Sequence, residues 1–202
     1  LCALTFDYGQ RAAQNEIAAA KRQSEYFQVP HRVIELPFLN TLKDHPFFNT
    51  KKTLPQLKTT ELDNKAATIE SAKAVWVPNR NGVFINVAAA LAEAQGASQV
   101  YVGFNAEEGA TFPDNTKEFV EALNKSFSYS TQNGVHVMAP AVHLKKMEIV
   151  ASLMRHDFSF ELLWSCYESG AKMCGTCESC LRLTRALRQN DLDNVCVKIF
   201  RM

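Results

Sequence analysis

The first 36 residues constrain the fold more than any other stretch of this chain. Leu1 to Phe6 is an unbroken apolar run that ends in Asp7-Tyr8-Gly9-Gln10. Gln10 to Phe27 is rich in Ala, Glu, Lys and Gln, with Ile17, Ala20, Ser24 and Phe27 at helical spacing. After Val29-Pro30, His31 to Leu36 alternates between polar and apolar residues. A strand, a helix and a second strand joined by short connections form a βαβ unit, and therefore a parallel sheet.

The pattern continues downstream. Ala74-Val-Trp-Val77 leads through Pro78-Asn79-Arg80-Asn81 into an apolar, Ala-rich helix from Gly82 to Gln95, which Gly96 is suited to end. Its Phe84, Val87, Ala88 and Leu91 face is expected to be the buried one. Ser98 to Gly103 reads as a strand, and Asp114 is placed to cap a helix over Asn115 to Phe127. Val135 to Ala139 is a further strand, followed by a helix from about Leu144–Lys146 to Arg155 and another from Glu178 to Gln189. Leu39 to Lys73 breaks the rhythm. With Pro46, Pro55, Lys51-Lys52 and a Thr-rich stretch it has little periodicity and reads as a long connection, a lid or binding loop. The expected class is α/β, a doubly wound and mainly parallel sheet. Residues 1–155 form its main domain and 156–202 a metal-binding segment packed on it.

Composition removes several functions. Twenty-two Lys and Arg against twenty-one Asp and Glu leave a net charge of +1, so no polyelectrolyte field points to direct nucleic-acid binding. A hydrophobic content of 47% is too high for disorder. No apolar run approaches the roughly 20 residues of a membrane span, and the reading is of a soluble cytoplasmic protein. The chain opens without Met and already inside a strand, so a leading segment is expected to precede Leu1.

Four of the six cysteines cluster as Cys166, Cys174, Cys177 and Cys180. A Cys-x-x-Cys step lets two thiolates reach one ion from a tight turn, and Gly175 frees the backbone for it. Four thiolates about one centre make a closed structural zinc site. An iron–sulfur cluster and a pair of disulfides remain as alternatives, although the chain is no small cysteine-stapled scaffold. Cys2 reads as a small buried hydrophobe, and Cys196 carries no assignment.

In a doubly wound sheet ligands gather at the carboxyl ends of the strands. The polar segments there are Asp7 to Arg11, Pro78 to Asn81, Asn105 to Asp114 and His143 to Glu148. Arg80 precedes a helix, where free N–H groups favour anions, and it can hold a carboxylate or phosphate; a surface ion pair would use the same residue. Glu107, Glu108 and Asp114 can bind magnesium or orient an amine or amide edge, or else stand in water and cap a helix. Lys145 and Lys146 at a helix start oppose the dipole, as a phosphate-binding cation would and as plain surface charge also would. No Gly-x-Gly-x-x-Gly, Gly-x-x-x-x-Gly-Lys-Ser/Thr or Gly-x-Ser-x-Gly is present.

Taken together, Thr5-Phe-Asp-Tyr-Gly-Gln-Arg11, Val77-Pro-Asn-Arg-Asn81, Gly103-Phe-Asn-Ala-Glu-Glu108, Pro113-Asp114, Lys146-Met-Glu-Ile149 and Trp164-Ser-Cys166 with Cys174-Gly-Thr-Cys177-Glu-Ser-Cys180 resemble one family. It is that of the 7-cyano-7-deazaguanine synthases of queuosine biosynthesis, within the PP-loop, or N-type, ATP pyrophosphatases. The resemblance runs from Leu4 to about Arg188 and weakens over Leu39 to Lys73.

It implies ATP-dependent conversion of 7-carboxy-7-deazaguanine and ammonia to the nitrile through an acyl-adenylate and an amide. Lys146 and Arg80 would be catalytic. Asp7, Tyr8, Gln10, Arg80, Asn81 and Gly103 would bind the nucleotide, and Asn105, Glu107, Glu108 and Asp114 the substrate. Magnesium would accompany ATP, and the zinc would be structural. From the residues themselves, the apolar helix near Phe84 to Leu91 or the C-terminal tail is a candidate homodimer surface.

The chain departs from the family in two ways. The Ser-Gly-Gly-x-Asp-Ser phosphate loop is absent, so a first strand, loop and helix of roughly 30 residues are expected upstream of Leu1. Thr116 stands where the family carries Arg. These departures leave two alternatives, a PP-loop amide ligase for another acid and a non-catalytic binding protein.

Overall fold

The computed structural model describes residues 1–42 and 44–201; Lys43, inside the expected lid, lies outside them. The class is α/β with parallel strands, and the chain divides into two compact units, residues 1–76 with 150–202 and residues 77–149.

In the first unit, strand β1 (Ala3–Asp7), helix α1 (Ala13–Tyr26) and strand β2 (His31–Glu35) form the βαβ unit read from the sequence. β1 and β2 pair in parallel from Ala3 opposite His31 to Asp7 opposite Glu35. The crossover works because α1 turns a face of small residues inward, with Ala13, Ala19 and Ser24 buried after the buried N-cap residue Ala12. Helix α2 (Lys65–Val75) is the main departure in this unit, since it lies where the sequence shows little periodicity. Its start is nonetheless conventional: the Asn64 side chain accepts from the backbone N–H groups of Ala66 and Ala67. Its buried positions Thr68, Ser71, Ala72 and Val75 follow the helical period, but two of them are hydroxyl residues and hide the apolar stripe.

In the second unit, helix α3 (Arg80–Ala94) precedes strand β3 (Gln99–Tyr101), the single turn α4 (Ala106–Gly109), helix α5 (Lys117–Ser130) and strand β4 (His136–Met138). β3 and β4 are parallel, with Val100 opposite Val137. Gly96 ends α3 as expected: its φ is +69°, and the N–H groups of Gly96 and Ala97 donate to the Glu93 and Ala92 carbonyls.

Two expectations fail here. Of the expected face of α3 only Ala88 is buried, together with Gly82, Ile85 and Ala89, while Phe84, Val87 and Leu91 are half-buried, because a helix apolar on every side carries no stripe to read. The cap of α5 is Thr116, not Asp114: its Oγ1 accepts from the Phe119 N–H at 3.2 Å, while Asp114 sits in a preceding 3-10 turn over Pro113–Asn115. Pro113 accounts for the shift, since it starts that short turn and delays the helix by two residues.

The core of this unit joins Ile85 and Ala89 of α3, Val120, Leu123 and Phe127 of α5, and Phe104, Val135 and Val137. Asn124 stitches α5 to β4, donating to the Val137 carbonyl at 3.1 Å and accepting from its N–H at 2.7 Å. Helix α6 (Lys146–Met154) starts in this unit and ends in the first. Helices α7 (Glu178–Arg188) and α8 (Asp193–Ile199) complete the first unit and pack Leu183, Leu187, Cys196 and Ile199 about the cysteine cluster.

Candidate functional site

The four cysteines converge. Their Sγ atoms all lie within 4.8 Å of one another, and those of Cys174 and Cys180 are 3.8 Å apart. That is the spacing of two thiolates in a tetrahedron with zinc–sulfur bonds of ~2.3 Å. All six cysteines are free, which removes the disulfide alternative. The local chain explains the convergence. Gly175, at φ +75°, turns the backbone between Cys174 and Cys177, and a Cβ there would stand 3.1 Å from the Arg201 carbonyl. Backbone N–H groups point at the sulfurs: Glu168 and Cys174 donate to Cys166 Sγ, and Thr176 and Cys177 donate to Cys174 Sγ, at 3.3 or 3.4 Å.

Such donors favour thiolates. Hydrogen bonds from Cys177 and Cys180 hold the Cys166 thiol far below its ordinary 9.0, at about 2. Bonding to Cys166 pushes Cys177 up to about 12 and Cys180 higher still. Sulfurs packed this closely cannot all ionise without a cation between them. The donor set thus fits one thiophilic metal ion, with three of its four cysteines buried. Cys196 is not one of the four; it is buried in the surrounding core, its thiol pushed up by burial.

The strand-end turn after β1 is tied into the protein. Asp7 Oδ1 accepts from the Gly9 N–H at 3.0 Å, and the Asp7 carbonyl from Leu36 N–H at 2.7 Å. Gln10 is 3% exposed; its Oε1 accepts from Tyr8 N–H, and its Nε2 donates to the Phe6 carbonyl and Glu16. Tyr8 is buried edge-on against Phe48. Gln10 and Tyr8 therefore shape the turn, while Asp7 keeps a carboxylate at the strand end.

In the second unit two groups of the expected residues meet. Arg80 opens α3, its positive charge acting on Asp114, and the Asn81 amide donates to the Asp114 carbonyl at 3.5 Å. Burial nevertheless raises the Asp114 carboxyl above its ordinary 3.8, against the lowering effects of Asn115, Arg80 and Asn81. In the same loop, Asn105 is a buried cap whose Oδ1 accepts from Glu108 N–H at 3.2 Å, so its side chain serves α4. Glu107 Oε1 accepts from the Lys146 backbone N–H at 2.9 Å, and Glu108 Oε1 pairs with Lys146 Nζ at 2.9 Å. Glu148 Oε2 takes the Lys145 N–H at 2.7 Å, completing the start of α6. Among the described residues, and its chain neighbours aside, nothing lies within 4 Å of where a Cβ on Gly103 would stand, so the space beside it is open.

One group escaped the sequence reading. Glu178 and Arg182, one helical turn apart, are buried together on α7, with two bonds of 3.0 and 2.9 Å from Arg182 to Glu178 Oε1. Their i,i+4 spacing was the available signal, but it looks the same in a solvated pair.

A family model described as queuosine biosynthesis protein QueC matches residues 1–191. A Bdellovibrio bacteriovorus protein named 7-cyano-7-deazaguanine synthase is 48% identical over 191 residues, which are 95% of this chain and 83% of that protein. Its namesake from Pelotomaculum thermopropionicum is 51% identical over 188 residues, 93% of this chain and 85% of its own. The namesake from Methanosarcina mazei is 43% identical over 189 residues, 92% and 82% of the two chains. With a family match over nearly its whole length and relatives this similar, the chain belongs to the family of queuosine biosynthesis protein QueC.

Proposed function

We propose that the protein is an ATP-dependent 7-cyano-7-deazaguanine synthase. A carboxylate resists ammonia until one oxygen becomes a leaving group. In the first stage that oxygen attacks the α-phosphorus of ATP, expelling pyrophosphate and leaving an acyl-adenylate. Ammonia then displaces AMP and loses a proton, giving the amide. In the second stage the amide oxygen is adenylated in turn. Loss of AMP and of the remaining amide protons leaves the nitrile.

Every step moves negative charge between phosphate and carbonyl oxygens, so the protein's part is to position reactants and stabilise that charge. The observation that carries this reading is the doubly held Lys146, whose backbone N–H and ammonium are fixed by consecutive glutamates at 2.9 Å each. An ammonium so restrained at the first turn of α6 offers a phosphate group both a cation and a helix N-terminus. Arg80, at the first turn of α3, is assigned to the nucleotide or the substrate carboxylate, with Asn81 beside it. Asp7 and Gly103 are assigned to the nucleotide side, where Tyr8 and Gln10 act by shaping the turn that carries Asp7. Asp114, Glu107 and Glu108 accept hydrogen bonds from the N–H edge of the deazaguanine, and the Asn105 cap sets the position of the two glutamates. Magnesium accompanies ATP, and the ion at Cys166, Cys174, Cys177 and Cys180 is a structural zinc that cross-links the C-terminal segment.

Thr116, in place of an Arg, works here as a helix cap, so that departure calls for no different substrate. Incubation with 7-carboxy-7-deazaguanine, ATP, magnesium and ammonium tests the assignment. The expected products are the nitrile with two AMP and two pyrophosphate per turnover. Product that stops at the amide with one AMP refutes it.

A further inference from the structure

The segment that carries the cysteines also grips the rest of its unit through two sets of side chains. The first leaves the stretch between Cys166 and Cys174. Glu168 pairs with Arg11 at 3.4 Å, the Ser169 hydroxyl donates to the Arg11 carbonyl, and Gly170 exchanges two hydrogen bonds with the Asn15 amide. The Arg11 side chain, 4% exposed, in turn donates to the Thr50 carbonyl at 3.0 Å and the Lys52 carbonyl at 3.2 Å. Its backbone N–H donates to the Phe47 carbonyl at 2.8 Å. Aromatic contacts run the same way, Phe47 edge-on to Tyr167 and Phe48 to Tyr8. One guanidinium thus presses residues 47–52 onto the turn that follows β1, while the cysteine segment holds it from behind.

The second set leaves the last two cysteines. Cys177 forms an antiparallel bridge with Gln56. Glu178 accepts from the Ser71 hydroxyl at 2.6 Å, its partner Arg182 reaches the Leu62 carbonyl at 3.4 Å, and Arg185 pairs with Asp63 at 2.8 Å. Glu178 and Arg182 are 4% and 7% exposed, so the bonds these two make are sheltered from water, unlike the exposed Arg185–Asp63 pair. Residues 53–58 contribute no backbone–backbone bond among themselves, and this stretch takes its place from such contacts.

We propose that the four-cysteine centre is the anchor of a latch. With its metal bound it fixes residues 45–52 against the turn Asp7–Arg11 and residues 56–75 against Cys177 and α7, and losing the metal frees both stretches while β1, α1 and β2 stay folded. Arg11 and the Glu178–Arg182 pair are the positioning residues that transmit the hold. The physical basis is that a thiolate site takes its shape from the ion, so the loops bearing Glu168, Ser169 and Cys177 lose their reference points together when the ion leaves. Local opening then follows the elements with the fewest contacts of their own. The proposal rests on the reading of the four cysteines as metal ligands, and is independent of the reaction.

Hydrogen exchange by mass spectrometry, with metal content measured in parallel, tests it on zinc-loaded and chelator-stripped protein under reductant. Stripping is expected to speed exchange at least tenfold in peptides covering 45–52, 65–75 and 166–180, with 3–7, 13–26 and 31–35 still protected. In the loaded protein, Arg11→Met should free 45–52 alone, and the double change Glu178→Gln with Arg182→Met should free 65–75 alone, each retaining its zinc. Exchange confined to 166–180 on stripping, or uniform over the whole chain, overturns the latch, as do variants that leave 45–75 protected. Protein that takes up no metal removes the premise, which the metal assay separates from failure of the latch itself.

Discussion

Glu107 and Glu108 divide Lys146 between them, one carboxylate on its backbone N–H and the next on its ammonium, each at 2.9 Å. The two bonds have different consequences. The first anchors the start of a helix and leaves the ammonium untouched. The second is an ion pair that, under the proposed function, an incoming phosphate replaces. Lys146→Met is expected to lower kcat/KM by about 10² or more, on the order seen when one stabilising donor is lost, with little change in melting temperature. Glu108→Gln removes a partly exposed pair and should cost under about 1 kcal/mol in stability. It should also lower the KM for ATP, because the ammonium no longer has a competing carboxylate. Steady-state kinetics alongside thermal melts separate the two effects, and a Lys146→Met enzyme with unchanged kcat/KM refutes the role.

Asp114 gives a pH signature. Burial raises its carboxyl above 3.8 in the folded protein, so the folded state binds the proton more tightly than the unfolded chain. Stability from this group is therefore present at pH below 3.8 and is lost as pH rises through the raised folded value. Asp114→Asn keeps an oxygen for the Asn115 amide, which donates to Asp114 Oδ1 at 3.0 Å, and removes the ionisation. The variant should melt above the parent at pH 7, with the difference closing toward pH 4. Melting curves across that range decide it; a variant less stable at pH 7 means the Arg80 attraction outweighs burial.

What could be read from the residues, and what could not, follows from how each signal arises. The βαβ unit over Ala3–Glu35 was legible because alternation and helical spacing are local, and the cysteine site because its spacing is a chemical constraint in itself. Helix α2 was hidden because Thr68 and Ser71 fill buried positions, with Ser71 donating to Glu178, 107 residues away. No local pattern encodes that partner. Gln10, assigned to the nucleotide through the resemblance, has its amide occupied by the local Phe6 carbonyl, Tyr8 N–H and Glu16. The proximity of Lys146 to Glu107 and Glu108 likewise depends on a loop and a helix start 39 residues apart in the chain.

The cysteines should differ sharply toward alkylation. Metal-bound thiolates are shielded, and Cys196 is buried with its thiol pushed up by burial, which lowers its thiolate fraction. Cys2 is only half-buried. Iodoacetamide at pH 7.5 is expected to label Cys2 first in the zinc-loaded protein and to reach the four clustered cysteines only after chelation, as peptide mass spectrometry would record. Cys177→Ser should drop the metal content from about one per chain and destabilise α7, whose N-cap is Cys177. Retention of a full zinc equivalent in that variant contradicts a four-thiolate site.

Thr116 makes the last case, because a single hydroxyl there does two jobs. Its Oγ1 accepts from the Phe119 N–H at 3.2 Å and donates to the Pro113 carbonyl at 2.9 Å, joining the first turn of α5 to the 3-10 turn that carries Asp114. Thr116→Ala loses both bonds and should cost about 1 kcal/mol, the usual range for a lost N-cap. For a chain of this size class that corresponds to a fall of about 2–4 °C in melting temperature. Thr116→Ser keeps the hydroxyl and should melt close to the parent. Thr116→Val keeps the shape without the bonds and should follow Ala. If Val instead melts with the parent, the methyl group's packing rather than the hydroxyl holds this junction, and the cap assignment falls. Because Asp114 is on the far side of the same turn, Thr116→Ala should also raise the KM for the deazaguanine acid more than that for ATP. Equal changes in both would mean that the junction does not set the position of Asp114.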